Sequence, residues 1–186
     1  MPIRTSLRVA IQYALVCLIA YEVGRRVTSG FHASSAAFGA VWAAFSGLTV
    51  MASEFSDMTT SAWRRLAATL VATAMSVLFA MALPFSAAGM AVAVAATVVV
   101  CRALGLADYV ALATAAAVMS LVIGHANPEL PPWINGALRY SESTIGIATA
   151  VLIAFLFRDR RPAAAPRGDA VPSSASAPSP GMPMPP

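Results

Sequence analysis

Residues 66–101 contain no charged side chain. As one helix, these roughly 36 residues would reach about 54 Å at 1.5 Å per residue, whereas the hydrocarbon core of a bilayer is about 30 Å thick. The sequence Leu83-Pro84-Phe85-Ser86 lies in the middle of the stretch, and proline disfavours helix at the residue before it. The sequence therefore predicts two membrane-spanning helices joined by a tight turn.

Further apolar runs on both sides of this stretch predict an integral membrane protein. Of the 186 residues, 59% are hydrophobic and 11% charged, whereas soluble domains average about 25% charged residues. The first run has a basic start and a short apolar core, as in a signal peptide, but no small-residue cleavage site follows it. We predict an all-α integral membrane protein with a six-helix transmembrane domain over residues 1–161. The predicted spans are residues 7–25, 33–53, 66–83, 87–104, 107–124 and 139–157.

The last part of the chain, residues 162–186, has a different composition. It holds most of the 13 prolines, together with Ala, Ser and Gly. Such a segment cannot bury enough apolar surface to fold. We expect a disordered cytoplasmic tail.

The arginines predict the orientation, because cytoplasmic loops are enriched in basic residues. All 12 basic residues are arginine, and the absence of lysine argues against a P-loop and hence against ATP hydrolysis. With both termini in the cytoplasm, the cytoplasmic segments contain Arg4, Arg8, Arg64, Arg65, Arg102, Arg158, Arg160, Arg161 and Arg167. The opposite segments contain only Arg25, Arg26 and Arg139. We therefore predict a multi-pass protein with cytoplasmic N- and C-termini, whose basic residues serve topology and not nucleic-acid binding.

The last apolar run begins with two ionisable residues, Arg139 and Glu142. Residues 143–157 are too few to cross a bilayer, so we predict that the sixth helix begins near Arg139 and has both groups in its first turn. At a spacing of three residues they share a helix face and can pair. Two interpretations remain open. The pair either anchors the helix while the arginine reaches the headgroups, or lines a vestibule that attracts an anion and exchanges a proton.

A second group, Trp63, Arg64 and Arg65, precedes the third span near the acidic residues Glu54 and Asp57. Tryptophan beside arginine at a membrane boundary is typical of an interfacial anchor. The alternative is a site for an organic anion, since arginine binds carboxylates well.

Several other residues are weaker candidates or structural. His125 and Trp133 are assigned to an outer loop and are more typical of interfacial residues than of ligands. Glu22 is expected to pair with Arg25 or Arg26. Cys17 and Cys101 are expected to be buried free thiols.

Small residues predict close helix packing, and enzyme motifs are absent. Gly39, Ala43 and Gly47 recur every four residues, the pattern of a smooth interhelical face, and Gly146 continues it in the last span. The sequence contains no nucleophile, metal-ligand or nucleotide-binding motif. We therefore expect neither an enzyme nor a cofactor or metal.

The two arginines also suggest an internal repeat. Arg65 and Arg139 each open the third helix of a three-helix half, and each is followed four residues later by a hydroxyl, Thr69 or Ser143. Halves with an odd number of helices lie in opposite orientations. The pattern fits two inverted three-helix repeats, as in many transporters, and it equally fits a chance match of two positions.

Three segments resemble a known family. Residues 41–50 read VWAAFSGLTV and are similar to its Trp-Ala-x-Leu-(Ser/Thr)-x-Leu run. The arginines before the third span, with Thr69 one turn on, resemble its Arg-x-x-x-Thr motif, although Ala72 replaces the glycine that usually follows. Residues 137–146 resemble its Arg-x-x-Glu-x-x-x-Gly opening of the last helix. These segments resemble the fusaric acid resistance protein-like (FUSC) family, within the aromatic acid exporter superfamily.

The resemblance implies a bacterial inner-membrane protein that exports small organic anions, aromatic carboxylates among them, without ATP hydrolysis. It places Arg65, Arg139 and Glu142 at motif positions. Because long members have two six-helix halves, it also implies at least a homodimer here. The alternative is a non-transporting membrane subunit that packs against a partner protein through its small-residue stripe.

Overall fold

Six α-helices make up the part of the chain described by the computed structural model, residues 3–51 and 58–157. Short 3-10 turns, Ala33–Ser35 and Ala107–Tyr109, precede α2 and α5. The helices are α1 (Ile3–Phe31), α2 (Ala36–Met51), α3 (Met58–Ala82), α4 (Ala87–Ala103), α5 (Val110–Ala126) and α6 (Pro132–Leu156). The predicted tail, and Glu54 and Asp57, lie outside the described residues.

Four of the helices in the described part of the chain have the length and composition of membrane spans. By length and composition, Ser6–Phe31, Ala33–Met51, Met58–Ala82 and Ala107–Ala126 can each cross a bilayer, and Ala87–Ala103 is a shorter apolar helix. Many large apolar side chains are exposed on the outside of the bundle, a surface that suits lipid and not water. The chain is an all-α multi-pass membrane protein, as predicted. Cys17 is exposed on this surface, so its predicted burial is wrong, whereas Cys101 is buried.

Turn chemistry explains where the middle helices end. The Ser86 hydroxyl accepts a hydrogen bond from the backbone N–H of Gly89 at 3.0 Å and caps the start of α4. At the other end, Gly105 has φ +72° directly after the C-cap of α4, a conformation that glycine adopts without steric cost. The predicted boundaries of α4, residues 87–104, therefore differ from the observed ones by one residue.

Other helices are longer than their apolar runs. The sixth helix begins at Pro132 and not near Arg139, so the predicted start is wrong. Proline lacks a backbone N–H and has a fixed φ, both of which suit the first position of a helix. Likewise α1 continues to Phe31 and α3 begins at Met58, beyond the predicted spans. Arg139 and Glu142 consequently lie two to three turns into α6.

The helices form two groups that meet along α3 and α6. One group is α1, α2 and α6, and the other is α3, α4 and α5. The two central helices run antiparallel, since Trp63 near the start of α3 shares a groove with Phe155 near the end of α6. At the opposite end, Leu78 of α3 shares a groove with Trp133 of α6.

An internal repeat relates the two halves of the bundle. A shift of 74 positions (132 − 58) maps Met58–Ala82 onto Pro132–Leu156 at both ends, and it maps the turn Ala33–Ser35 onto Ala107–Tyr109. The same shift relates α1, α2 and α3 to α4, α5 and α6, respectively. The helix contacts follow this relation: the contact of α1 with α2 corresponds to that of α4 with α5, that of α2 with α6 to that of α5 with α3, and that of α1 with α6 to that of α4 with α3. Because α3 and α6 are antiparallel, the repeat is inverted.

The buried faces of the two halves also correspond. In α5 the buried Ala116, Ala117 and Ser120 map onto Trp42, Ala43 and Ser46, which are all buried in α2. The agreement extends to the inward face of α3 and α6. Buried residues there that correspond are Ala62 and Gly136, Arg65 and Arg139, Ala68 and Glu142, Thr69 and Ser143, Ala72 and Gly146, and Thr73 and Ile147.

Candidate functional site

Arg139 and Glu142 form an ion pair in the interior of the bundle. Arg139 Nη1 lies 2.9 Å from Glu142 Oε2, and both residues are 0% exposed. The spacing of three residues places both side chains on the face of α6 that packs against α1 and α2. Charged side chains at membrane depth are rare and usually face protein or a cavity.

Two residues from other helices hold the carboxylate of Glu142. The Thr28 hydroxyl of α1 donates a hydrogen bond to Glu142 Oε1 at 2.5 Å. Gly39 of α2 faces the same carboxylate, and a Cβ added there would overlap Glu142 Oε1 and Thr28 Oγ1. The carboxylate thus lies where α1, α2 and α6 meet.

The pair leaves hydrogen-bonding capacity unused. Among the described residues, the Arg139 nitrogens Nε, Nη1 and Nη2 form no hydrogen bond, and neither does Glu142 Oε2. The 2.9 Å approach is therefore a Coulombic contact without hydrogen-bond geometry. A buried donor without an acceptor costs about 1–3 kcal/mol, and more when it is charged. These nitrogens have no hydrogen-bond acceptor among the described residues.

A second set of polar groups lies one helical position further along. The indole N–H of Trp42 donates to Ser143 Oγ at 2.7 Å, and Ser46 Oγ donates to the same hydroxyl at 3.4 Å. All three side chains are buried. They fix the contact of α2 with α6 beside the ion pair.

Neither sequence interpretation of the pair describes this conformation. An anchoring arginine would extend to the headgroups, but Arg139 is enclosed by protein. A vestibule would expose the pair to water, but both side chains are inaccessible. The difference follows from the earlier start of α6 at Pro132, which places the pair deeper than predicted.

The predicted cluster before the third span is divided by the helix. Trp63 is 72% exposed and Arg64 is exposed, whereas Arg65 is 3% exposed and faces the interior. Consecutive positions on a helix point about 100° apart, so the three side chains cannot line one site. Of this group, only Arg65 lies inside the bundle.

The weaker candidates lie in helices and not in the loop to which they were assigned. His125 is in the last turn of α5 and stacks on Phe85 with a centroid distance of 4.2 Å. It lines a pocket of about 130 Å³ at the turn between α3 and α4. Trp133 is in the first turn of α6 and is 63% exposed. Neither contacts the ion pair.

Sequence reasoning missed a polar network at the same end of the bundle. His32 Nε2 lies 2.9 Å from Glu129 Oε1, so the turn after α1 contacts the loop before α6. In addition, Ser34 donates to Asn127 at 3.1 Å. Glu129 accepts a hydrogen bond from its own backbone N–H and one from His32, and these contacts hold the pKa of its carboxyl below its usual value. No sequence motif links these loop residues.

Glu22 pairs as expected. Its carboxylate lies 2.8 Å from Arg25 Nη2 and 3.1 Å from Arg26 Nε. Arg25 and Arg26 are exposed and Glu22 is partly exposed at the surface of α1, where ion pairs contribute little stability.

The small-residue stripe packs within the chain. A Cβ on Gly47 would approach Val16 and the backbone of Gly146. Gly146 in turn lies against the backbone of Ala43. Gly39, Ala43 and Gly47 thus bring α2 against α1 and α6, as small residues do at close helix contacts.

One comparison with known proteins gives a match. No curated protein and no solved structure is significantly similar to the chain. The sequence model of the family described as fusaric acid resistance protein-like matches residues 27–153, which include α2 to α5, the ion pair, and most of α6. Since the match covers more than half of the 186 residues, the chain belongs to the fusaric acid resistance protein-like family.

Proposed function

We propose that the chain is a transport-type protein that exports small organic anions, aromatic carboxylates among them, without ATP hydrolysis. The observation that carries the proposal is the enclosed Arg139–Glu142 pair with its unused donors. Removing one partner of a buried pair typically costs about 3–5 kcal/mol, while replacing both by apolar residues is often neutral. Ionisable side chains inside a membrane protein are a functional-site hypothesis by default. Membership of the family supports a transport or resistance function.

The chemistry of the pair suits carboxylate exchange. Arginine offers a planar fork that binds a carboxylate through two parallel hydrogen bonds. In the structure the Glu142 carboxylate lies beside the guanidinium of Arg139, and both are enclosed by protein. When Glu142 takes up a proton, its charge is lost and Arg139 is available to the carboxylate of a substrate. Opening requires α1 and α2 to move relative to α6, because these helices enclose the pair.

The proposed setting is the bacterial inner membrane, with both termini in the cytoplasm and the ion pair nearer the outer face. The lipid bilayer covers the exposed apolar surface, and a homodimer supplies the second six-helix unit. Driving force comes from the membrane potential or from protonation of Glu142.

The alternative function, a non-transporting subunit, is based on the small-residue stripe of α2 as a surface for a partner protein. Gly39 and Gly47 contact α1 and α6 of the same chain, so their stripe is not available to a partner protein.

Export of labelled benzoate from cells that express the chain tests the proposal. Arg139→Ala and Glu142→Gln should abolish export, whereas Glu22→Gln, which changes an exposed carboxylate on α1, should not. The double variant Arg139→Met with Glu142→Leu separates folding from function, since an apolar pair keeps the interior intact. It should accumulate normally in the membrane and fail to export. Export at the wild-type rate by this double variant would remove the pair from the mechanism.

A further inference from the structure

We propose that Arg65 is the centre of a second carboxylate-binding site, at the membrane face opposite to Arg139. The ligand of this site carries a carboxylate group, which takes the position beside Arg65 that the Glu142 side chain takes beside Arg139. The proposal rests on the proposed function for its biological role. Ligand binding at this site can nevertheless be measured without any transport.

The inverted repeat makes Arg65 the equivalent of Arg139. The shift that maps Met58–Ala82 onto Pro132–Leu156 maps Arg65 onto Arg139 and Thr69 onto Ser143. Both arginines are buried, at 3% and 0% exposed. Because α3 and α6 run antiparallel, the two guanidinium groups lie toward opposite ends of the bundle.

The two positions differ in one essential group. Glu142 corresponds to Ala68, so α3 carries no carboxylate beside its arginine. Within the described parts of the chain, Arg65 forms no hydrogen bond or ion pair, and the exposed Asp108 does not pair with it. Removing a cation from water is favourable only when a partner compensates for the lost hydration. At Arg139 the chain supplies that partner itself, and at Arg65 a ligand can supply it.

The surroundings of Arg65 favour a ligand with a carboxylate head and an apolar body. The Tyr109 hydroxyl donates to Ser61 Oγ at 3.0 Å, and Ser61 lies one turn before Arg65 on the same helix face. Apolar side chains of α3 and α5, among them Ala68 and Ala113, form a buried cluster on this side. The repeat also maps Thr28, which binds the Glu142 carboxylate, onto Arg102. Arg102 is exposed whereas Thr28 is buried, so α4 provides no buried hydroxyl donor at this position.

Equilibrium binding of benzoate to the purified full chain in detergent tests the site, with the neutral isostere benzamide as the control ligand. Wild type should bind benzoate saturably and benzamide not at all. Arg65→Ala should weaken benzoate binding by about tenfold or more, the effect of losing a hydrogen-bonded charge. Arg64→Ala, a change at the neighbouring exposed arginine, should leave the affinity unchanged.

Ala68→Glu provides the sharper test, because it introduces at Arg65 the carboxylate that Glu142 provides at Arg139. It should block benzoate binding, whereas Ala68→Gln should not. Gly39, which accommodates the Glu142 carboxylate, corresponds to Ala113. The pair Ala68→Glu with Ala113→Gly therefore supplies the space if Ala68→Glu alone does not fold.

Three results would overturn the site: absence of saturable benzoate binding by wild type, wild-type affinity in Arg65→Ala, or equal affinity in the folded Glu and Gln variants at position 68. Failure of the export proposal is distinguishable from failure of this site. If the export proposal is wrong, the wild-type chain does not export benzoate, but the binding results for wild type and the variants remain as expected.

Discussion

At the scale of residues, the site consists of one carboxylate held by three helices. The sequence singles out Arg139 and Glu142, because charge is conspicuous in an apolar run. It could not reveal Thr28, which lies 114 positions from Glu142 and is one of many hydroxyls in the chain. Gly39 is recognisable as a packing residue, but its contact with the carboxylate depends on how α1, α2 and α6 meet. Long-range contacts of this kind leave no local pattern.

We expect Gly39→Ala to disrupt the site. The new Cβ would overlap Glu142 Oε1 and Thr28 Oγ1, and overpacking of this kind typically costs about 1–3 kcal/mol. Thermal unfolding in detergent should show a lower midpoint, and benzoate export should fall. The matched control is Gly30→Ala in α1, where an added Cβ meets nothing within 4 Å. An unchanged unfolding midpoint in Gly39→Ala would show that the carboxylate is not held against α2.

At the scale of elements, the helix count and the ends of α4 follow from the sequence, but the starts of α3 and α6 do not. Charge-free length is a poor guide, since α6 contains Arg139 and Glu142 well inside its ends. The two prolines before Trp133 fall between the predicted fifth and sixth spans and hence in the predicted loop. Proline is favoured at the first position of a helix, so Pro132 followed by the apolar Trp133 and Ile134 is a sequence signal for the start of α6. The ion pair becomes deeply buried only because α6 starts there.

Adding a methyl group at Gly146 of α6 should destabilise the fold much more than removing one at the equivalent Ala72 of α3. Gly146→Ala places a Cβ into the backbone of Ala43 and Gly47, where no flexible side chain can give way, so we expect loss of folded protein. Its equivalent, Ala72, already carries a Cβ. Ala72→Gly should keep the fold and cost roughly 1–2 kcal/mol, from the lower helix propensity of glycine and the loss of a buried methyl group. Size-exclusion profiles and unfolding midpoints compare the two. Equal tolerance at both positions would contradict the close approach of α2 to α6.

The contact between the turn after α1 and the loop before α6 should depend on pH. The pKa of Glu129 lies below its usual value because of a hydrogen bond from its own backbone and one from His32. A lowered folded pKa means that its contribution to stability is present above the unfolded pKa of about 4.3 and is lost as pH falls through the folded pKa. We expect Glu129→Gln to unfold earlier than wild type near neutral pH, and the gap to close on acidification. A difference in unfolding midpoint between wild type and Glu129→Gln that grows as the pH falls would contradict a lowered pKa of Glu129 in the folded chain.

At the scale of the whole molecule, the inverted repeat connects the two buried arginines. Two matched sequence positions, Arg65 with Thr69 and Arg139 with Ser143, suggested it. The structure extends the match to helix bounds, turns and buried faces. The repeat is hard to recognise in the sequence because the two halves share the positions that face the interior, whereas the residue types at those positions differ. Ala68 and Glu142 are equivalent in position and opposite in chemistry.

Labelling of single cysteines tests the proposed orientation. Ser86→Cys and Glu129→Cys lie in turns that we place outside the cell, whereas Asp108→Cys lies in the turn between α4 and α5, which we place on the cytoplasmic side. A membrane-impermeant maleimide should label the first two in intact cells and the third only after permeabilisation. Cys17→Ser and Cys101→Ser provide the cysteine-free background. The reverse labelling pattern would invert the orientation and contradict the count of arginines.

Counterflow in liposomes that contain only the purified chain is the most direct measurement of the central claim, because no other protein can contribute. Vesicles loaded with unlabelled benzoate should accumulate labelled benzoate transiently, without ATP. Vesicles carrying the Arg139→Met, Glu142→Leu double variant should behave like empty liposomes. Wild-type vesicles that match empty liposomes, or a double variant that matches wild type, would contradict anion transport through the buried pair.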